Sequence, residues 1–258
     1  MSELWDDEHR KIAWLIMLRM RFDTHTEVNP TISNAYVYLQ KYFNSDQTID
    51  YDLYIIVISA LLVAFKNEDL KCDIRYLFTV FIRSCIDYTQ IFSPDKIISI
   101  FNCTNLEIRT ISPIEESKVN DCEMDILEAI NYETQVELPF LFFNKCLLQY
   151  VSTTDTSNES KFYMDNDTLQ TINKAFELNV IKFFSASEYL ELPISVIAAI
   201  SLFGAIKGKP MPPQTVEWLD NTKKEFGPEV CGKVFSVLKR QVQFLNLTPR
   251  PSTQEASS

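Results

Sequence analysis

The chain contains 258 residues and carries a formal net charge of −11 at pH 7. Its hydrophobic fraction of 46% excludes a chain that is disordered throughout, and its 4 glycines are too few for the many tight turns of a β-sandwich or a doubly wound sheet. The negative charge argues against phosphate-backbone binding as the main activity, because nucleic-acid-binding proteins usually carry a basic face. We therefore predict an all-α protein.

The first half of the chain has apolar residues at helical spacing, separated by polar breaks. The predicted helical segments are Asp7–Phe22, Ile32–Phe43, a core helix that ends at Lys66 with Asp50 or Asp52 as its N-cap, Cys72–Tyr88, a short segment that starts at Ser93-Pro94-Asp95, and Glu115–Tyr132. Asn102–Ser112 is interpreted as a polar insertion. The last of these helices offers six residues for packing: Val119, Cys122, Met124, Ile126, Leu127 and Ile130.

The second half of the chain is predicted to follow the same scheme. Its segments are apolar Phe140–Val151, a polar loop at Ser152–Asp167, helical Leu169–Phe184, a core helix that starts at Pro193, a break at Lys207–Pro213, and two final helices at Pro213–Glu225 and Pro228–Leu245. We predict an N-terminal domain over residues 1–137, a C-terminal domain over 138–247 and a disordered tail over 248–258.

Two apolar runs indicate an internal repeat. The run IVISALLVAFK at Ile56–Lys66 recurs as IAAISLFGAIK at Ile197–Lys207, 141 positions later, and each run is free of charge until its final lysine. A helix that is apolar all round belongs in the centre of a bundle. The repeat therefore predicts two helical bundles, each built around one such helix.

Candidate catalytic and metal-ligating residues are few. The six cysteines are scattered without a CxxC pair, and the two histidines, His9 and His25, lie close together in sequence near the first helix. The sequence contains no phosphate-binding glycine loop and suggests no nucleophile–histidine arrangement. We expect no enzymatic activity, no cofactor and no metal, and we interpret the cysteines as buried thiols in a reducing compartment.

The N-terminal residues and the apolar runs bear on localisation. The first residues, MSELWDDEHRK, are acidic and unlike a signal peptide, and no apolar run has the length of a membrane span. We expect the nucleus or the cytoplasm, with no membrane contact. Trp5 is interpreted either as a docking anchor or as a packing residue of the first helix.

Three motifs, in this order along the chain, resemble the cyclin family over roughly residues 7–245. In the first, LLVAFKNED at Leu61–Asp69, a hydrophobic helix is followed by a lysine and then by acids. The second is Glu123–Glu133, in which an aliphatic residue follows the first glutamate by four positions. The third is Tyr189–Pro193 with Ile197-Ala198-Ala199 after it. The first helix lacks the docking motif of cell-cycle cyclins, so the chain is more similar to the transcription-type group (C, H, K, T and M-like).

The resemblance implies both a fold and a function. Cyclins consist of two tandem five-helix repeats, the cyclin boxes, and they act as regulatory subunits rather than enzymes. The expected function is to bind and activate a cyclin-dependent protein kinase as a heterodimer, in transcription control. Further subunits of a transcription complex are possible additional partners, and direct nucleic-acid binding is not expected. The expected location is the nucleus, with the cytoplasm as a second location.

The resemblance also implies a kinase-binding site. Lys66 and Glu123 match cyclin residues that hydrogen-bond the backbone of the kinase helix carrying a catalytic glutamate, with Val63, Leu127 and Tyr132 as apolar neighbours. An ammonium donates to backbone carbonyls and a carboxylate accepts from backbone N–H groups, so such a pair suits a main-chain partner. Taken by itself, a lysine at a helix C-terminus is more often a capping or solvated residue that interacts with the helix dipole.

Two other functions remain open at this point. One is a general transcription factor of the same duplicated helical fold, which grips promoter DNA and a DNA-binding partner. The other is a scaffold that keeps the fold but binds no kinase. Two departures from the family leave it open: Asn67 stands where the family carries an aromatic residue, and Asn102–Ser112 extends the segment before the fifth helix.

Overall fold

The computed structural model describes residues 5–24, 30–45, 50–142, 166–206, 208 and 213–241. Within these ranges the chain forms α-helices and one short 3₁₀ turn at Tyr189–Glu191, without a strand, so the all-α prediction is confirmed. The same ranges contain no helix of the length and apolarity that a membrane span requires. The helices are α1 (Asp7–Asp23), α2 (Pro30–Phe43), α3 (Leu53–Asn67), α4 (Ile74–Tyr88), α5 (Pro94–Phe101), α6 (Pro113–Ala129), α7 (Asn166–Phe184), α8 (Ile194–Ile206) and α9 (Pro213–Gln241).

The chain divides into two compact units, Met1–Thr134 and Gln135–Gln243. The first unit contains α1 to α6 and the second contains α7 to α9. The predicted boundary lies between residues 137 and 138, close to this division, and the predicted tail over 248–258 lies outside the described residues. Most of the Ser152–Asp167 loop and Phe143 to Val151 also lie outside them.

Helix α3 forms the core of the first unit. Every residue from Leu53 to Phe65 is buried, and α2, α4, α5 and α6 all pack against this helix. The buried Ser59 hydroxyl is satisfied, because its O–H lies within bonding distance of two carbonyl oxygens, those of Ile55 at 2.9 Å and Val119 at 3.0 Å. The predicted burial of the first apolar run on all sides is confirmed.

Polar side chains fix where the helices of the first unit begin. Asp73, Ser93 and Ser112 each accept a backbone N–H bond from the first turn of the helix that follows. Ser112 forms a capping box with Glu115, in which each side chain accepts from the other's backbone N–H. Asp52 occupies the N-cap position of α3, but its carboxylate instead accepts from the side-chain amide of Asn102.

Trp5 is a packing residue. Its side chain is 3% exposed and stacks on Phe43 with the ring centroids 4.3 Å apart. The buried guanidinium of Arg10 donates to the Trp5 carbonyl at 2.8 Å and closes the start of α1. His9 also serves the helix start, since its Nδ1 lies 2.7 Å from the carboxylate of Asp6, whereas His25 lies outside the described residues. The docking-anchor interpretation of Trp5 is therefore wrong for this conformation.

Two packing predictions are wrong. Met124 is 50% exposed, because the buried stripe of α6 runs through Val119, Cys122 and Ile126 on another face. Phe203 is 52% exposed, although the second apolar run was expected to be enclosed. Among the described elements α8 packs mainly against α7 and α9, whereas α3 has four neighbouring helices, and one side of α8 is left open.

Helix α9 is interrupted near its middle. Gly227 has φ 76° and ψ 166°, a combination that is essentially restricted to glycine, and Pro228 follows it. The prediction of two final helices with a break between Glu225 and Pro228 is confirmed for the residues up to Gln241. Because of the break, both segments of α9 lie beside α8, and together with α8 they line a groove on the second unit.

Gly227→Ala is expected to destabilise the second unit by about 1–3 kcal/mol, because alanine cannot adopt this backbone conformation without strain. Differential scanning calorimetry measures the effect as a lower transition temperature. Gly232→Ala is the matched control, because Gly232 lies within a regular helical segment and an added Cβ meets nothing within 4 Å. That control should gain about 0.5–1 kcal/mol. Equal transition temperatures for the two variants would contradict the proposed strain.

Candidate functional site

The register between α3 and α6 positions the candidate site. Three side-chain bonds join the two helices, and the partner's residue number on α6 rises as the residue number on α3 rises. The two helices therefore run in the same direction. This register places the last turn of α3 beside the C-terminal half of α6. The three bonds join Tyr54 Oη to the Glu115 carboxylate (2.8 Å), Ser59 Oγ to the Val119 carbonyl (3.0 Å) and Lys66 Nζ to the Glu123 carboxylate (2.7 Å).

Lys66 and Glu123, 57 positions apart in sequence, form a bidentate ion pair. The ammonium lies 2.7 Å from both carboxylate oxygens. The Glu123 side chain is 11% exposed, whereas the Lys66 side chain is 58% exposed. The carboxylate is therefore enclosed by the bundle beneath a lysine that faces solvent. A carboxylate in such a position depends on its partner, because a buried charge without compensation is costly.

The predicted apolar neighbours occupy different environments. Val63 is buried one turn before Lys66 on α3, and Leu127 is half-buried one turn after Glu123 on α6. Tyr132 follows the end of α6 and is 59% exposed. Val63 and Leu127 thus border the ion pair through helical spacing, and the Tyr132 ring extends the surface at the end of α6.

Helix α3 ends in a Schellman motif directly after Lys66. The Leu70 N–H donates to the Phe65 carbonyl at 2.9 Å, and the Asp69 N–H donates to the Lys66 carbonyl at 3.1 Å. Asp69 has φ 53°, the left-handed conformation that this motif requires and that aspartate tolerates better than most residues. The chain turns away here, which leaves the Lys66 side chain at the edge of the bundle.

Helix α6 ends in the same way. The Tyr132 N–H donates to the Leu127 carbonyl at 2.8 Å, the Asn131 N–H donates to the Glu128 carbonyl at 2.9 Å, and Asn131 has φ 53°. The motif holds Tyr132 one turn beyond Leu127. Neither Schellman motif was predicted, although Asp69 and Asn131 were the available signals, since both residue types favour the left-handed position.

Two exposed apolar side chains lie close in sequence to the ion pair, one just after the end of α3 and one on α6. Leu70 is 42% exposed and Met124 is 50% exposed. We define the α3–α6 surface by its members, which are Lys66, Glu123, Leu70, Met124, Leu127 and Tyr132. Surrounding contacts that exclude water are a feature of interface hot spots, and these exposed apolar groups could exclude water from the ion pair in a complex.

Arg109 anchors the start of α6. Its guanidinium donates to both carboxylate oxygens of Glu115, at 2.8 and 2.5 Å, and lies 4.8 Å from the centroid of the Phe78 ring. These bonds, chiefly that from Arg109, hold the pKa of Glu115 well below its ordinary value, and burial raises the pKa of Tyr54, which also bonds to this carboxylate. The segment Asn102–Ser112, which was interpreted as a polar insertion, is therefore irregular in backbone conformation but held in place by side-chain hydrogen bonds.

The described residues give no sign of a metal or redox centre. In ranges 5–24, 30–45, 50–142, 166–206 and 213–241, no cluster of three or more histidine, cysteine, aspartate or glutamate side chains is arranged to hold a metal ion. The five described cysteines are free thiols, and Cys85, Cys103 and Cys122 are buried. The interpretation of the cysteines as buried is wrong for Cys72 and Cys231, which are half-buried. Burial raises the pKa of the Cys122 thiol to about 12, which keeps it protonated and unreactive at neutral pH.

Comparison with known proteins does not identify the chain. No model of a known protein family matches the sequence, and no curated protein matches it either.

Lys66→Met is expected to destabilise the first unit by about 1–2 kcal/mol, because it leaves the Glu123 carboxylate buried without its partner while the solvent-exposed ammonium limits the loss. Adding Glu123→Gln should recover part of that loss, so the double variant should be less destabilised than the sum of the single variants. Chemical denaturation of the wild type, the single variants Lys66→Met and Glu123→Gln, and the double variant measures the coupling free energy between the two side chains. Strictly additive effects would contradict a functional ion pair in solution.

Acidification should destabilise the wild type more than the variant Arg109→Met. The pKa of Glu115 is lower in the folded than in the unfolded chain, so its contribution is complete above the ordinary value of 4.5 and is lost as the pH falls below it. Unfolding free energies measured from about pH 6 to pH 2 should show a shallower acid slope for Arg109→Met. Lys118→Met, which removes an exposed lysine of α6, is the control and should keep the wild-type slope. Parallel profiles for all three proteins would rule out this role of the pair.

Proposed function

We propose that the chain is the regulatory subunit of a cyclin-dependent protein kinase, which it binds and activates through the α3–α6 surface. The observation that carries this proposal is the bidentate pair of Lys66 and Glu123 at the exposed end of a buried core helix. The resemblance to cyclins assigns kinase binding to these two positions, and their side chains lie together in the fold. Transcription control and a nuclear location rest on that resemblance.

The hydrogen-bonding capacity of the pair suits a main-chain partner. The Lys66 ammonium has three donors, of which the two contacts to Glu123 use two, and each Glu123 oxygen retains accepting capacity. A helix C-terminus presents carbonyl oxygens that lack partners within their own helix and a negative dipole end that attracts an ammonium. The pair can therefore hold the end of a helix without reading its side chains.

Positioning one helix is a step in kinase activation. The kinase active site requires an ion pair between a lysine on a strand and a glutamate on a helix, and this pair forms only when the helix is turned inward. A regulatory subunit that binds the inward position shifts the equilibrium toward it by the difference in its affinity for the two positions. On this proposal the chain contributes no group to phosphoryl transfer.

The positions of the core helices support two tandem cyclin boxes. Helix α3 begins at Leu53 and α8 begins at Ile194, and this offset equals the 141 positions between the two apolar runs. Each of these helices lies in a different compact unit. The proposed architecture assigns α3 and α8 as the central helices of the first and second box.

The proposal is tested by affinity capture from the native cell, followed by mass spectrometry. The bait is the wild type or the double variant Lys66→Met/Glu123→Gln, which removes both charges and keeps most of the side-chain volume. Each residue of an interface hot spot contributes about 2 kcal/mol or more, so the double variant should lose kinase binding at least about thirtyfold.

A matched control comes from the second unit. Lys233 and Glu191 form an ion pair at 3.2 Å with both side chains more than half exposed, and Lys233→Met/Glu191→Gln should capture the kinase as the wild type does. Circular dichroism verifies that both variants are folded. Capture of no kinase by the wild type would favour the scaffold function, and equal capture by all three baits would remove the α3–α6 surface from the interface.

A further inference from the structure

An apolar groove lies on the second unit between α8 and the two segments of α9. Its volume is about 560 Å³, within the range of ligand and peptide pockets. Helix α8 lines it with Val196, Ala199, Ile200 and Phe203, which follow the i, i+3, i+4, i+7 spacing of one helix face. Helix α9 contributes Val216, Asp220, Lys223, Gly232 and Phe235, among others.

The large side chains of this groove are incompletely covered by the part of the chain that the structure describes. Phe203 is 52% exposed, Phe235 is 42% exposed and Val216 is 39% exposed. Two exposed phenylalanines that border one concave surface differ from singly scattered exposed apolar residues and mark a binding surface. Their burial would provide the main driving force for a partner.

Gly232 indicates how closely that partner approaches. Glycine within a helical segment lowers stability relative to alanine, and at Gly232 an added Cβ would meet nothing within 4 Å. The fold itself therefore does not require glycine there. At Gly204, by contrast, a Cβ would lie 3.0 Å from the Asn179 side-chain nitrogen, which donates to the Ser201 carbonyl and would have to shift. Open space over the backbone of Gly232 permits another helix to pack against α9 at short distance.

The charges beside the groove indicate which charged residues a bound partner should carry next to its apolar residues. Lys223 is exposed and makes no ion pair with any residue in the described part of the chain, and the Lys239 ammonium lies 4.7 Å from the centroid of the Phe235 ring. Asp220 is the one carboxylate among the lining residues. Two lysines beside an apolar groove favour an acidic flank, whereas a second copy of this chain brings a net charge of −11 and is repelled.

We propose that this groove binds an amphipathic α-helix of another protein, with apolar residues at i, i+3, i+4 and i+7 and with acidic residues beside them. The apolar stripe fills the space between Phe203 and Phe235, the helix backbone approaches Gly232, and the acidic flank meets Lys223 and Lys239. This helix-in-groove mode uses only residues of the second unit and is independent of the α3–α6 surface.

The probe is a synthetic helical peptide of about 18 residues with that leucine stripe flanked by glutamates, compared with the same peptide flanked by lysines. Fluorescence anisotropy with the full chain measures Kd. The glutamate peptide should bind at least about tenfold more tightly than the lysine peptide. Gly232→Ala should raise the Tm of the free chain but weaken binding at least about tenfold, because its methyl group occupies the space of the peptide backbone.

Asn221→Ala is the control, because it adds the same helix former at an exposed position of α9 outside the groove lining. It should leave Kd unchanged. Phe203→Asp, at a half-exposed position, should abolish binding. The proposal is overturned if the glutamate peptide does not bind at about 1 mM, or if Kd is unaffected by Gly232→Ala and Phe203→Asp. A dimer of the chain in analytical ultracentrifugation that Phe203→Asp dissociates would also overturn it, in favour of a second copy.

Discussion

The parallel register of α3 and α6 determines which side chains meet at the surface of the first unit. Because every residue of α3 from Leu53 to Phe65 is buried, Lys66 is the first position of the helix at which a charge can reach solvent. The bonds from Tyr54 and Ser59 to α6 fix the axial position of that helix, so Glu123 lies level with Lys66. The ion pair is thus a consequence of core packing rather than an isolated surface contact.

The features predictable from sequence are those with a local physical cause. A charge-free run such as Ile56–Phe65 favours the centre of a helical bundle, as found for α3. Ser93 and Ser112 mark helix starts because their hydroxyls replace missing helical acceptors. The break at Gly227 followed from a glycine next to a proline. The meeting of Lys66 with Glu123 is different, because no local pattern joins residues 57 positions apart, and only the family resemblance indicated it.

The features that sequence did not predict depend on tertiary contacts. Arg109 lies in a segment with no helical pattern, and its bonds to Glu115 and its contact with Phe78 appear only when three elements pack together. Met124 was assigned to the core because helical spacing permits more than one apolar face, and packing against α3 selected the other. Phe203 was expected to be enclosed by analogy with α3, but α8 has fewer neighbouring helices among the described elements.

The two core helices therefore give the two units different surfaces. Helix α3 is enclosed and presents only its charged end, which suits a polar contact with main-chain groups, whereas α8 leaves an apolar side open beside α9. Activation through the α3–α6 surface is tested most simply by the rate at which the captured kinase phosphorylates a peptide as increasing amounts of this chain are added. The account predicts strong activation by the wild type and at least about thirtyfold higher half-maximal concentrations for Lys66→Met/Glu123→Gln. Identical activation curves for the two folded proteins would contradict it.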